Sequence, residues 1–196
     1  MQNIKNFKII KPSKKLLKTY AIDGGETPLF LQADDGQDWY TCQALFSDDT
    51  VKIQYDSDGV IRFVVDKPVP QRGNVYAVSM LWPDGMSVAE IAQADYPAGC
   101  CTDGTWKFDG VSIYQDSEVL ASQISSGNQR LRKMHALTAS LAIATIQAGM
   151  SQNRQQENDD SLLLQWQDYL CNLRAMTEEE LQQSPAPFPL SPQLIF

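Results

Sequence analysis

Histidine is nearly absent from this chain: His135 stands alone among 196 residues. Zinc sites of the usual histidine-rich kind need more than one imidazole, and the four cysteines, Cys42, Cys100, Cys101 and Cys171, supply no C-x-x-C to replace it. Cys100, Cys101 and His135 could be drawn as a thiol nucleophile with its base, but no third group orients them. Phosphate-binding loops are missing too, since Gly24-Gly25 has neither the lysine nor the spacing of one. No apolar run approaches the roughly 20 residues that span a bilayer, and the first residues lack the apolar stretch of a secretory signal. Basic side chains are few, 16 against 24 acidic ones, giving a net charge of -8 that disfavours general affinity for nucleic acid. These shortages predict a soluble cytoplasmic protein with reduced thiols, no metal or other cofactor, no nucleic-acid or membrane partner and no enzymatic activity.

The acidic motifs point the same way. Asp56-Ser57-Asp58-Gly59 begins like a calcium loop, but its glycine arrives two positions early and Lys67 stands where the bidentate glutamate belongs. It reads as a turn. The neighbours Asp48 and Asp49, or Asp34 and Asp35, would point to opposite faces of a strand and could not converge on one glycosidic bond. Charge is uneven along the chain. Lys5, Lys8, Lys11, Lys14, Lys15 and Lys18 crowd a basic first segment, and nine acids against Lys52 follow up to Gly59. The basic segment reads as a solvated edge pairing with the adjacent acidic stretch.

What is present is 43% apolar residues, enough for a core, arranged with two different periods. Val51, Ile53 and Tyr55, then Ile61, Phe63 and Val65, alternate around a glycine-bearing turn and predict a β-hairpin. Trp106 and Phe108, then Val111 and Ile113, predict a second hairpin around Asp109-Gly110 as a two-residue turn. Val75 to Trp82 reads as a further strand, and Ser87 with Glu90 as a capping box opening a helical turn to Gln93. From Asp116 to about Met150 proline is absent, and Ile124, Leu131, Met134, Thr138, Leu141 and Thr145 follow helical spacing. A second helix is predicted from about Ser161 to Arg174, capped by Asp160 or Ser161 and carrying Leu162, Leu163, Trp166, Tyr169, Leu170 and Leu173. Thr177 and Glu180 suggest a last capping box before a proline-studded end. The fold expected is α+β: a mostly antiparallel β module over 1–115, a helical hairpin over 116–183 and a proline-rich tail over 184–196.

A helical hairpin of this kind has one apolar face too many, and must pack on the β region, on a second copy or on a partner. Trp39, Tyr40, Trp82 and Trp106 leave two readings open, core packing or a platform that stacks on sugar rings. The sugar-binding reading does not account for the hairpin.

Residues through most of the chain carry a resemblance. Asp38-Trp39-Tyr40, Leu45-Phe46, Asp49-Thr50-Val51-Lys52-Ile53, Tyr55 to Ile61 and Gly104 to Gly110 resemble the N-terminal module of phage tail-fibre assembly proteins. Leu162, Leu163, Trp166, Tyr169 and Leu173 fall on the positions of that family's Leu-Leu-x-x-Trp-x-x-Tyr-x-x-x-Leu helix. The chain departs from it at Phe188-Pro189, where many members have Trp-Pro, and in the more helical segment Met176 to Gln183. The resemblance implies a chaperone in the host cytoplasm that binds the C-terminal tip of a trimeric tail fibre and promotes its folding and trimerisation without nucleotide. Some members stay on the finished fibre. Trp166, Tyr169, Leu173, Pro187, Phe188, Pro189 and Phe196 are the candidate fibre contacts. Leu131, Met134, Thr138 and Leu141 are candidates for self-association into a homodimer of the free protein. The alternative is a carbohydrate-binding or receptor-binding accessory module at the fibre tip.

Overall fold

A computed structural model describes residues 1–20 and 28–192. The chain divides into two compact units, Met1–Ser117 and Glu118–Phe196. In the first, a four-stranded antiparallel sheet runs in the order β1-β6-β4-β5, with β1 at Asn3–Ile4, β4 at Val51–Tyr55, β5 at Ile61–Val65 and β6 at Ser87–Ile91. Two ribbons accompany it. One joins β2 (Lys8–Ile10) to β3 (Phe30–Gln32), and the other joins β7 (Trp106–Phe108) to β8 (Ile113–Gln115). Two short helices, α1 (Lys14–Thr19) and α2 (Trp39–Cys42), complete the regular α and β elements of this unit among the described residues.

The hairpin β4–β5 forms where alternation predicts it. A bulge between Gln54 and Tyr55 shifts its register, so that Gln54 faces Phe63 and Tyr55 faces Ile61. Gly59 holds the turn at φ +78°, and its carbonyl accepts from the Phe108 N–H at 2.8 Å, which ties the turn to β7. The sheet has a core on each side. Phe7, Leu31, Trp39, Phe46 and Val88 pack in one, and Ile53, Tyr55, Ile61, Ala89 and Phe108 in the other. Strand β4 is buried along its whole length.

Three local expectations are corrected. Ser87 to Ile91 is the inner strand β6, not a helical turn. Glu90 is buried there, and its carboxylate accepts from the Gln2 and Ser47 N–H groups and the Thr50 hydroxyl at 2.7–3.0 Å, so sheet pairing wins over local capping. Beside it the buried Lys52 ammonium donates to the carbonyls of Ser47 and Thr50; burial lowers its pKa, against the opposing field of Glu90. Val75 to Trp82 contains a single isolated bridge, Val69 to Val75, and a 3-10 turn at Val78–Met80, with no strand. The β7–β8 connection runs over four residues, 109–112, rather than two. The Asp109 carboxylate accepts from the N–H groups of Val111 and Ser112 at 2.8 Å, with Gly110 at φ +102°.

The second unit is helical. Helix α3 spans Ser117–Ser151, α4 spans Asp159–Ala175 and α5 spans Glu178–Leu181. Proline-free sequence lets α3 run 35 residues, about 52 Å. The residue before α4 is Asn158, two or three positions ahead of the expected cap, and its side chain makes no capping bond. The capping box at Thr177 and Glu180 forms with both reciprocal bonds.

Candidate functional site

No group of three or more His, Cys, Asp or Glu side chains gathers to hold a metal among the described residues. All four cysteines are free thiols. Burial pushes the Cys42 thiol up to about 12, with the fields of Asp38 and Asp35 adding to it, and burial also raises Cys100. Both are poor nucleophiles in consequence. Trp39 lies in the core and Trp106 is half-buried, which leaves Trp82 as the most exposed tryptophan.

The helical unit is organised around one tryptophan. Ala139 and Ala142 on α3 are buried and small, so α4 can approach closely and Trp166, 1% exposed, fills the gap between them. Tyr169 meets Trp166 edge-on at 5.7 Å, and Leu173, Met176 and Leu181 extend the same core toward α5. The Trp166 indole N–H has no acceptor, so this buried ring is held by packing alone.

This geometry places part of the expected contact list inside the hairpin. Trp166, Tyr169 and Leu173 face inward, and their helical spacing reports the hairpin's own seam with α3. The tyrosine hydroxyl sits 2.8 Å from Nδ1 of His135, and the His135 ring lies 5.2 Å from that of Phe188. Burial raises the pKa of the Tyr169 hydroxyl. The lone histidine therefore fixes the tail against the hairpin.

The tail is irregular from residue 186 to 192. Asn128 on α3 donates to the carbonyls of Leu181 and Gln183 at 2.9 Å, and Arg132 donates to that of Met176 at 3.2 Å, which anchors the segment leading into it. Phe188 packs on the hairpin core, whereas Pro187 and Leu190 are exposed and Pro189 is half-buried. An open depression of about 310 Å³ lies between Pro189–Pro192 and the α4 residues Gln165, Asp168 and Asn172. Phe196 lies outside the described residues.

The other apolar surface is on α3. Leu131, Met134 and Leu141 are exposed, as is Thr138. Leu137, Leu164 and Leu190 are exposed as well, and sequence reasoning missed them because each falls outside the dominant stripe or motif.

An α+β molecule with apolar protein surface is the class these features define. A family profile, described as Caudovirales tail fibre assembly protein, lambda gpK, matches residues 41–190, and the chain belongs to that family. It is 25% identical over 170 residues to tail fiber assembly protein U of Escherichia phage Mu, covering 86% of this chain and 89% of that one. Similarity to tail fiber assembly protein U' of the same phage is 25% over 196 residues, with coverage of 98% and 100%. A probable tail fiber assembly protein of Escherichia phage P2 is 29% identical over 114 residues, 58% of each chain. The family's names point to an assembly role rather than to catalysis.

Proposed function

We propose that this protein is a chaperone of a phage tail fibre, which binds the C-terminal tip of the trimeric fibre in the host cytoplasm and promotes its folding and trimerisation without nucleotide. The observation that carries this reading is the family match over 41–190. Exposed apolar surface on the helical unit gives it a physical basis. Fibre trimers are built from β structure whose strand edges pair wrongly until they are covered, and an apolar helix face with an extended tail can cover them. Within the tail, Pro187, Pro189 and Leu190 are the contact residues, with Phe188 as the hinge that holds them to the hairpin; Phe196 extends the same apolar end. Trp166, Tyr169 and Leu173 act indirectly, by shaping the hairpin. Without fibre, the free protein pairs with a second copy through Leu131, Met134, Thr138 and Leu141. A complex that persists after assembly would leave the protein on the virion.

Co-purification tests the binding. Tagged full-length chain, co-expressed with the C-terminal region of the fibre, is expected to retain it through size exclusion. Loss of retention on deleting residues 184–196, with the N-terminal unit still folded, places the contact in the tail. A fibre that never co-purifies with the full chain would overturn the reading.

A further inference from the structure

The outward face of α3 carries more order than an ordinary solvated face. Ile124, Leu131, Met134, Thr138, Leu141 and Thr145 follow one another at alternating steps of four and three once Gly127 fills its place, and Ala148 continues the series. That is a heptad seam. The hairpin's own core draws on other α3 residues, among them His135, Ala136, Ala139, Ala142, Ile143 and Ile146. Leu131, Met134, Leu137 and Leu141 are 43%, 56%, 71% and 67% exposed. The two threonines do not make the seam wet, because Thr138 and Thr145 spend their hydroxyls on the carbonyls of Met134 and Leu141 at 3.1 and 2.9 Å.

The seam is also unequal along its length. Its first half holds the large knobs Leu131 and Met134. Its second half carries Thr145 and Ala148 and borders a groove of about 400 Å³, whose wall holds Thr138, Leu141, Thr145, Gly149 and Leu162 with Arg154 and Asp159 at one end. Between Lys133 and Arg154 there is no charged side chain, while Arg130 and Lys133 stand beside the knobs.

We infer that the occupant of this face is a second copy of the chain, running antiparallel, with the knobs of each copy seated in the groove of the other. A two-fold axis between Ala139 and Ser140 sets Leu131 against Ala148, Met134 against Thr145 and Thr138 against Leu141. Leu131, Met134 and Leu141 then each meet a smaller side chain. Met134 and Thr145 are eleven positions apart on one helix, about 16 Å along its axis, so both grooves fill at once and the contact closes on itself. A parallel pair would set Thr138 and Thr145 against their own copies and leave both grooves empty. It would also bring the basic pair Arg130 and Lys133 against its equivalent, whereas the antiparallel pair turns each toward the groove, whose wall holds one charge of each sign, Arg154 and Asp159. This arrangement rests on the homodimer reading given above and is independent of how the fibre is held.

Cross-linking decides it. In full-length protein carrying Cys101→Ser and Cys171→Ser, which removes the exposed thiols, Met134→Cys and Thr145→Cys variants are made separately. Mixed and mildly oxidised, they are expected to give a disulfide-linked dimer that neither gives alone, and Leu141→Glu should weaken the dimer by about 100-fold in sedimentation equilibrium. All three positions are exposed, so the fold should be unaffected, which the circular dichroism spectrum checks. A linked dimer from Met134→Cys alone would overturn the antiparallel geometry while keeping a dimer. A monomer at every concentration would overturn the dimer itself, and the co-purification of fibre would be untouched by either result.

Discussion

Truncating Trp166 to alanine separates a core residue from a contact residue. The ring is 1% exposed between Ala139 and Ala142, with Tyr169 against its edge at 5.7 Å. The alanine methyls on α3 are too short to fill the space, and Leu173 is itself fully buried. The loss should therefore lie in the usual range for emptying a tryptophan site, about 3–5 kcal/mol. A domain of ordinary stability holds about 5–15 kcal/mol in total, so a large part of the helical unit's stability would go. Guanidinium unfolding followed at 222 nm reads this directly, since α3 and α4 carry most of the helix. The helical transition should move to much lower denaturant. Emission from Trp39, which lies in the other unit's core, should change little at the same concentration. Trp166→Phe should recover more than half of the loss, because it restores a ring and removes the unsatisfied indole N–H. A Trp166→Ala protein that unfolds within about 0.5 kcal/mol of the parent would refute the packing argument and return Trp166 to the surface.

Other consequences concern the β unit. Gly59→Ala should cost about 2 kcal/mol or more in thermal unfolding, because a Cβ there would lie 2.6 Å from the Phe108 carbonyl oxygen at a φ of +78°. Gly110→Ala meets nothing within 4 Å and should show only the backbone penalty, about 1–2 kcal/mol, so equal losses at the two sites would contradict the role given to the β7 contact. Glu90→Ala leaves the Gln2 and Ser47 N–H groups without their acceptor in a buried setting and should cost about 3 kcal/mol, measured by denaturant titration. The Asp109 carboxyl is held below its ordinary 3.8 by the N–H groups of Ser112 and Val111. Its folded-state pKa being the lower one, the contribution is fully present above that ordinary value and lost as pH falls through the folded pKa. Asp109→Asn should flatten this part of the acid unfolding curve, and an unchanged curve would remove Asp109 from the account.

How much was legible in the chain depended on whether the deciding contact was local. The hairpin at Val51–Val65 could be read because alternation and a turn glycine are local signals, and α3 because proline is absent over its whole length. Ser87 to Ile91 could not. Ser-x-x-Glu is a sound capping pattern, and what overrides it is pairing with β4 and β1 and the burial of Glu90 among groups as distant as Gln2 and Thr50. The aromatic stripe of α4 was visible, but its direction was not. Helical spacing says that Trp166, Tyr169 and Leu173 share a face and is silent on whether that face meets α3 or a partner. On α3 the periodic stripe of Leu131, Met134, Thr138 and Leu141 is exposed. The true packing face uses Ala139 and Ala142, whose small size gives little periodic signal.

The central claim is that this protein makes the fibre's C-terminal region fold and trimerise. Expressing that region alone and together with the full-length chain, then measuring the soluble trimer by sedimentation and by resistance to detergent, tests it most directly. The account predicts soluble trimer with the chain present and aggregated or monomeric fibre without it. Equal yields of soluble trimer in the two cultures would contradict it.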